Sequence, residues 1–278
     1  MAGLMLGDVI REWKRKRRVA AALAELEGRE VAGRPHGLPA PLVVSLTSYP
    51  GRFGTLALTL KAVLRQTVRA DRVVLWLAAG DAGQLPPEVL ALKAEGLEIG
   101  VSENLRSFTK IVPMLREAPE SFILTADDDI AYGPRWIEDL VAGYDPSRSE
   151  VICHRARRIL LRADGQPAPY VEWESNIGPA VGPLVFSTGV SGVLYPPGVF
   201  HPDTCKAELF RELTPAADDV WLWWMYRLTG AVARKVGPPQ RIVEWPGSQV
   251  TQLRQGNVAQ NGNDRQIAAM IARYGFPG

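Results

Sequence analysis

The chain has 278 residues with 46% hydrophobic side chains, ample for a buried core, and its net charge of +2 excludes a generic nucleic-acid binder. Two cysteines, Cys153 and Cys205, and three histidines, His36, His154 and His201, are too scattered for a zinc site or a disulfide framework, which suits a cytoplasmic setting. No apolar run is long enough to span a bilayer, and the basic cluster follows the first apolar residues, unlike a signal peptide.

Residues 1–28 read as one amphipathic helix, with Leu6, Val9, Ile10, Trp13, Ala20, Leu23 and Leu26 at helical spacing. The run Lys14-Arg15-Lys16-Arg17-Arg18 interrupts it. Such a helix either lies on an anionic membrane surface, here the inner membrane face, or packs on the domain and shows its charges to water. A proline-rich linker, residues 33–41, follows. The spacing then predicts strands over residues 42–47, 72–77, 97–101 and 122–125. Helices are predicted between them, over residues 56–66, 86–93 and 108–115, the last disturbed by Pro113. Alternation at this length predicts an α/β fold with a parallel sheet and helices on both faces. Beyond it come a helix over 136–144 and a strand over 150–153. An irregular Gly-, Pro- and aromatic-rich stretch fills 154–198. A buried helix over 220–228 and an amphipathic helix over 264–274 end the chain.

The strand Phe122-Ile123-Leu124-Thr125 runs straight into Asp127-Asp128-Asp129. Carboxylates at a strand end offer the oxygen ligands that Mg²⁺ or Mn²⁺ takes, and strand ends are where open α/β sheets bind ligands. The competing reading is an acidic turn, or acids that cap the next helix. A second pair, Asp218-Asp219, opens the buried helix. Either it complements the helix dipole, or one member is a general base. The small residues of Thr188-Gly189-Val190-Ser191-Gly192 allow close approach of a ligand to backbone, or merely shape a turn. Neither a dinucleotide-binding nor a P-loop glycine pattern is present.

Together these segments resemble the GT-A-type glycosyltransferases of bacterial capsular and lipopolysaccharide synthesis. Four elements in order carry the resemblance: Val44 to Phe53, Thr125 to Ile130 with an Asp-x-Asp at Asp127 and Asp129, the loop Thr188 to Gly192, and Ala217-Asp218-Asp219. It implies a basic helix and linker over 1–40 before a GT-A-like, Rossmann-like domain over 41–278. Residues 41–150 would bind nucleotide and 151–278 the acceptor. It implies a nucleotide-sugar donor such as a UDP-sugar, held near Thr47, Ser48, Tyr49, Arg52, Lys110, Asp127 and Asp128. Mn²⁺ or Mg²⁺ would sit on Asp129 and Asp127. The sugar and acceptor would meet Thr188, Gly189, Ser191 and Gly192, and Asp219 rather than Asp218 would be the base of an inverting transfer to a glycan or lipid-linked acceptor. No His follows His201, so the family's C-terminal metal-binding His has no counterpart. A haloacid-dehalogenase-like phosphatase also carries Asp-x-Asp, but expects Thr or Val where Ala131 stands. A non-catalytic homologue would not need both acidic sites.

Overall fold

The computed structural model describes residues 2–30, 33–247 and 262–278. After helix α1 (Ala2–Glu27) the chain enters β1 (Leu42–Thr47), whose first five residues are fully buried. A strand hydrophobic on both faces needs cover on both, and crossover helices supply it. The succession is α2 (Phe53–Leu64), β2 (Arg72–Ala78), α3 (Pro87–Leu90), β3 (Leu97–Ser102), α4 (Val112–Glu117) and β4 (Phe122–Ala126). β1 pairs in parallel with β2 on one side and β4 on the other, and β2 with β3. The 108–115 helix is delayed: Arg106–Lys110 forms a 3₁₀ turn, and Pro113 lies in the first turn of α4, where its missing N–H costs nothing.

The second half continues the same sheet. It comprises α5 (Trp136–Val141), β5 (Glu150–Cys153), β6 (Ala156–Arg158), β7 (Glu174–Ser175), β8 (Ala180–Gly182), β9 (Val185–Ser187), β10 (Val193–Tyr195), α6 (Ala207–Leu213), α7 (Asp218–Arg227) and β11 (Val232–Lys235), and a C-terminal helix covers Gly262–Tyr274. The eight-stranded order is β3-β2-β1-β4-β10-β5-β11-β8, with β10 antiparallel to both neighbours. The fold is therefore α/β, with a mostly parallel sheet flanked by helices and preceded by an N-terminal helix. The stretch expected to be irregular, 154–198, instead supplies a three-stranded sheet, β7-β6-β9, and the central strand β10. Strands of two or three residues are too short for alternation to show in sequence.

α7 is apolar all round because it is enclosed all round. Trp221, Trp223, Trp224 and Tyr226 are fully buried. Each indole N–H is satisfied, by Thr204 O at 3.0 Å, Val185 O at 2.9 Å and Gly275 O at 2.9 Å. This anchorage fixes where the first turn of α7, and hence Asp218 and Asp219, points.

The single apolar stripe expected on α1 is two stripes. Val19 and Leu26 are buried on the domain with Ala22 and Leu23 beside them. Val9, Ile10 and Trp13 stay exposed. Just past the helix, the Arg29 guanidinium donates to Ala62 O at 3.1 Å and Tyr132 O at 2.7 Å, pinning the end of α1 beside the acidic strand end.

Candidate active site

β4 delivers the three acids at its C-terminal end, but they do not point alike. Asp128 and Asp129 are buried. Asp128 accepts from Ser48 Oγ at 2.6 Å and from the Arg52 guanidinium at 2.7 Å, and the same guanidinium nitrogen donates to Asp129 at 2.8 Å. Thus Ser48 and Arg52, from the turn after β1, act as an internal brace on the acids. Asp127 is the outward one, its side chain 28% exposed. Burial, then the neighbouring Asp127, pushes the Asp129 carboxyl up to about 7, and burial likewise raises Asp128.

Lys110 joins this cluster to the second pair. Its ammonium is 2.9 Å from Asp127 Oδ1 and 2.9 Å from Asp218 Oδ2, and the residue is 6% exposed. Burial alone would favour loss of its proton. Asp127, Asp218 and Asp219 outweigh that and hold the ammonium charged, well above its ordinary value. Asp218 Oδ2 is itself buried and makes no aligned hydrogen bond, so its contact with Lys110 is ionic.

Asp219 accepts the Gly189 backbone N–H at 2.7 Å. Burial and then Asp218 push its carboxyl up to about 7. The approach is close: a Cβ on Gly189 would stand 2.7 Å from Asp219 Oδ1 and 3.2 Å from Lys110 Nζ, so either side chain would have to shift to admit one. The loop closes on itself through Gly192 N–H to Gly189 O at 2.9 Å. Ser191 and Gly192 both take positive φ, 82° and 94°, and a Cβ on Gly192 would stand 2.6 Å from the Trp136 ring. Trp136 Nε1 donates to Ser191 O at 2.7 Å.

The structure thus brings Arg52, Ser48, Lys110, Asp127, Asp128, Asp129, Asp218, Asp219 and Gly189 into one connected cluster. The others sit around it. Thr47 Oγ1 donates to Trp76 O at 2.9 Å, Tyr49 is 40% exposed with its ring 5.8 Å from the Arg52 guanidinium carbon, and Thr188 caps the backbone at Arg155 O. Three supporting residues were not singled out from the sequence. The Tyr132 hydroxyl accepts the Asp127 N–H at 2.8 Å, Thr59 Oγ1 donates to Asp128 O at 3.0 Å, and Trp245 Nε1 donates to Thr59 Oγ1 at 3.0 Å. The strap carrying Trp245 pairs antiparallel with the motif through Ile130 and Glu244. Only Tyr132 lay near enough to the acids in sequence to be suspected.

Five carboxylates face two cations, Arg52 and Lys110, and the excess negative charge suits a hard divalent ion. Among the described residues no group of three or more His, Cys, Asp or Glu side chains forms a protein-only cage. That is compatible with Mg²⁺ or Mn²⁺, which take one or two carboxylates and keep waters and substrate phosphates. Of the two acids expected to take the ion, Asp127 is the more exposed and contacts Lys110, and Asp129 is buried with the Arg52 guanidinium on one oxygen.

No family model matches the chain, and no curated protein does. Solved structures do align. Glucosyl-3-phosphoglycerate synthase from Mycobacterium tuberculosis, in complex with Mn²⁺, UDP and glucosyl-3-phosphoglycerate, matches at 11% identity and a TM-score of 0.47, over 86% of this chain and 82% of that one. CMP:2-keto-3-deoxy-manno-octonic acid synthetase, complexed with CTP, matches at 13% identity and 0.43, over 72% and 93%. The inositol-1-phosphate CTP transferase from T. maritima matches at 9% and 0.42, over 87% and 98%. Likeness this distant leaves the chemistry to be read from the site itself.

Proposed function

We propose that this chain is a GT-A-type glycosyltransferase that moves a sugar from a nucleotide sugar, a UDP-sugar in the first instance, to a hydroxyl of a glycan or glycolipid acceptor in cell-surface polysaccharide synthesis. The observation that carries the reading is the junction of two acidic centres through one buried lysine, with Asp219 pushed up to about 7. A carboxyl in that range is matched to general-base work near neutral pH. Asp219 takes the acceptor hydroxyl proton as that oxygen attacks the anomeric carbon and the nucleoside diphosphate leaves from the opposite face, which inverts the centre. The Gly189 N–H keeps the base aimed, and a side chain at Gly189 would displace Asp219 or Lys110. Asp127 and Asp129 would hold a Mg²⁺ or Mn²⁺ ion, whose contribution there is to offset charge on the leaving diphosphate. Arg52 and Ser48 hold the strand-end acids in register, and Lys110 fixes Asp127 relative to Asp218.

The test is to incubate the protein with Mn²⁺ and each common UDP-sugar, with calorimetry for binding and a coupled assay for released UDP. Metal-dependent binding of a UDP-sugar, with UDP release that Asp219→Asn suppresses, is expected. Binding of no nucleotide sugar at all would sink the reading. Pyrophosphate release from a nucleoside triphosphate and a sugar phosphate would replace it with nucleotidyl transfer.

A further inference from the structure

α1 carries two apolar faces, and only one has a partner. At about 100° per residue, Val19, Ala22, Leu23 and Leu26 fall on one side of the helix, and that side meets the domain. Val9, Ile10 and Trp13 fall roughly 130° away round the same axis. They stand 64%, 44% and 54% exposed. Packing on the domain therefore does not explain them. Surface apolar residues scattered singly need no explanation, but these three lie together on one helix turn.

Charge identifies what would cover them. Residues 9–18 hold six basic side chains against one acid, Glu12, which is already paired with Arg15 at 2.8 Å. Basic residues border the apolar stripe, Lys16 on one flank and Lys14 on the other, and Arg17 closes its C-terminal end one turn beyond Trp13, its guanidinium 4.7 Å from the centre of the Trp13 ring. An aromatic and aliphatic stripe bordered by cations is the arrangement that lies in the plane of an anionic bilayer surface, rings at headgroup depth and cations on lipid phosphates. No helix among the described residues is long and apolar enough to cross a membrane, so this contact is with a surface.

We propose that the N-terminal half of α1 docks the protein on anionic phospholipid bilayers through Val9, Ile10 and Trp13, with Lys14, Lys16 and Arg17 on the headgroups. The C-terminal half of the helix, packed on the domain and pinned beyond its end by Arg29 to Tyr132 O, would then tie the acidic cluster to the docked half. The proposal is independent of sugar transfer, because vesicle binding is measured without substrate.

The full-length protein is sedimented with vesicles of phosphatidylcholine alone and of phosphatidylcholine mixed with phosphatidylglycerol, the latter also made with brominated acyl chains. The other seven tryptophans are all 6% exposed or less, so bromine quenching reports on Trp13. Binding to the anionic vesicles only, reversed by salt, with quenching that disappears in Trp13→Ala, is expected. Replacing Lys14, Lys16 and Arg17 by Gln should weaken binding roughly a hundredfold, and Val9→Ser with Ile10→Ser and Trp13→Ser should abolish it. All six positions are exposed, so unchanged circular dichroism and melting confirm that folding is intact. Equal binding to neutral vesicles, no binding to either, or anionic binding that survives both sets of substitutions would overturn the proposal. So would concentration-dependent self-association through the stripe without vesicle binding, which would make the partner a second copy of the chain.

Discussion

Replacing Lys110 by Met keeps most of the length of the unbranched side chain and removes its charge. In the wild type the ammonium sits 2.9 Å from a carboxylate oxygen of Asp127 and 2.9 Å from one of Asp218. At an effective dielectric of about 20, each contact is worth ~6 kcal/mol of Coulomb attraction before desolvation is counted. Desolvation of the buried ammonium offsets much of that, and removal of one partner from a buried pair typically costs about 3–5 kcal/mol. The variant leaves Asp127, Asp218 and Asp219 facing one another with no cation among them. Their mutual repulsion is relieved only by taking up protons. The loss should therefore be full at pH 8 and shrink markedly at pH 5, where protonation replaces the missing charge. Urea unfolding followed by circular dichroism at both pH values measures this. If Lys110→Met is unfolded at pH 8, recovery of structure at pH 5 tests the same point. A loss below about 1 kcal/mol, in the range of an exposed pair, or an equal loss at both pH values, would refute the view that Lys110 holds the two acidic centres together.

Within the acidic pair, Asp219→Asn should lower the transfer rate by roughly 10²–10⁴-fold with donor affinity nearly unchanged, while Asp218→Asn, which loses the contact with Lys110, should cost stability more than rate; a dead Asp218→Asn beside an active Asp219→Asn would reverse the assignment. Asp129 and Asp219 are both held up at about 7, so the folded state binds more protons than the unfolded state between about pH 4 and 7. Their contribution to stability therefore falls as pH rises through that window, and the ligand-free protein should unfold at lower urea at pH 8 than at pH 5 unless a divalent ion is added. The transfer rate should move the other way, rising with pH through about 7 as Asp219 gives up its proton, and a flat profile from pH 5 to 8 would exclude it as the base. Gly192→Ala, with φ of 94° and its new methyl aimed at Trp136, should destabilise by about 2–4 kcal/mol in thermal or urea unfolding. Exhaustive chelation should abolish transfer and Mn²⁺ or Mg²⁺ restore it; undiminished activity after chelation would remove Asp127 and Asp129 from that role.

Much of this architecture was written in local pattern. The apolar runs of β1, β2 and β4 are long enough to declare themselves as strands covered on both faces, and α7 declares its burial by having no polar side. The placement of Asp127, Asp128 and Asp129 at a strand end followed directly from Phe122–Ala126. What the sequence left open is everything that depends on segments far apart in the chain. β10, three residues inside a Gly- and Pro-rich stretch, becomes a central strand only because β4 and β5 offer it edges. Local spacing suggests one apolar stripe on α1, whereas docking against the domain divides it in two. Nor could any local rule say that Arg52 would face inward to brace Asp128 and Asp129, or that Gly189 would close on Asp219. The ion pairs of Lys110 join residues 17 and 108 positions away. Hydrophobic periodicity is read along a segment, but the partners of a charge are set by which segments the sheet brings together, and only the tertiary structure decides that.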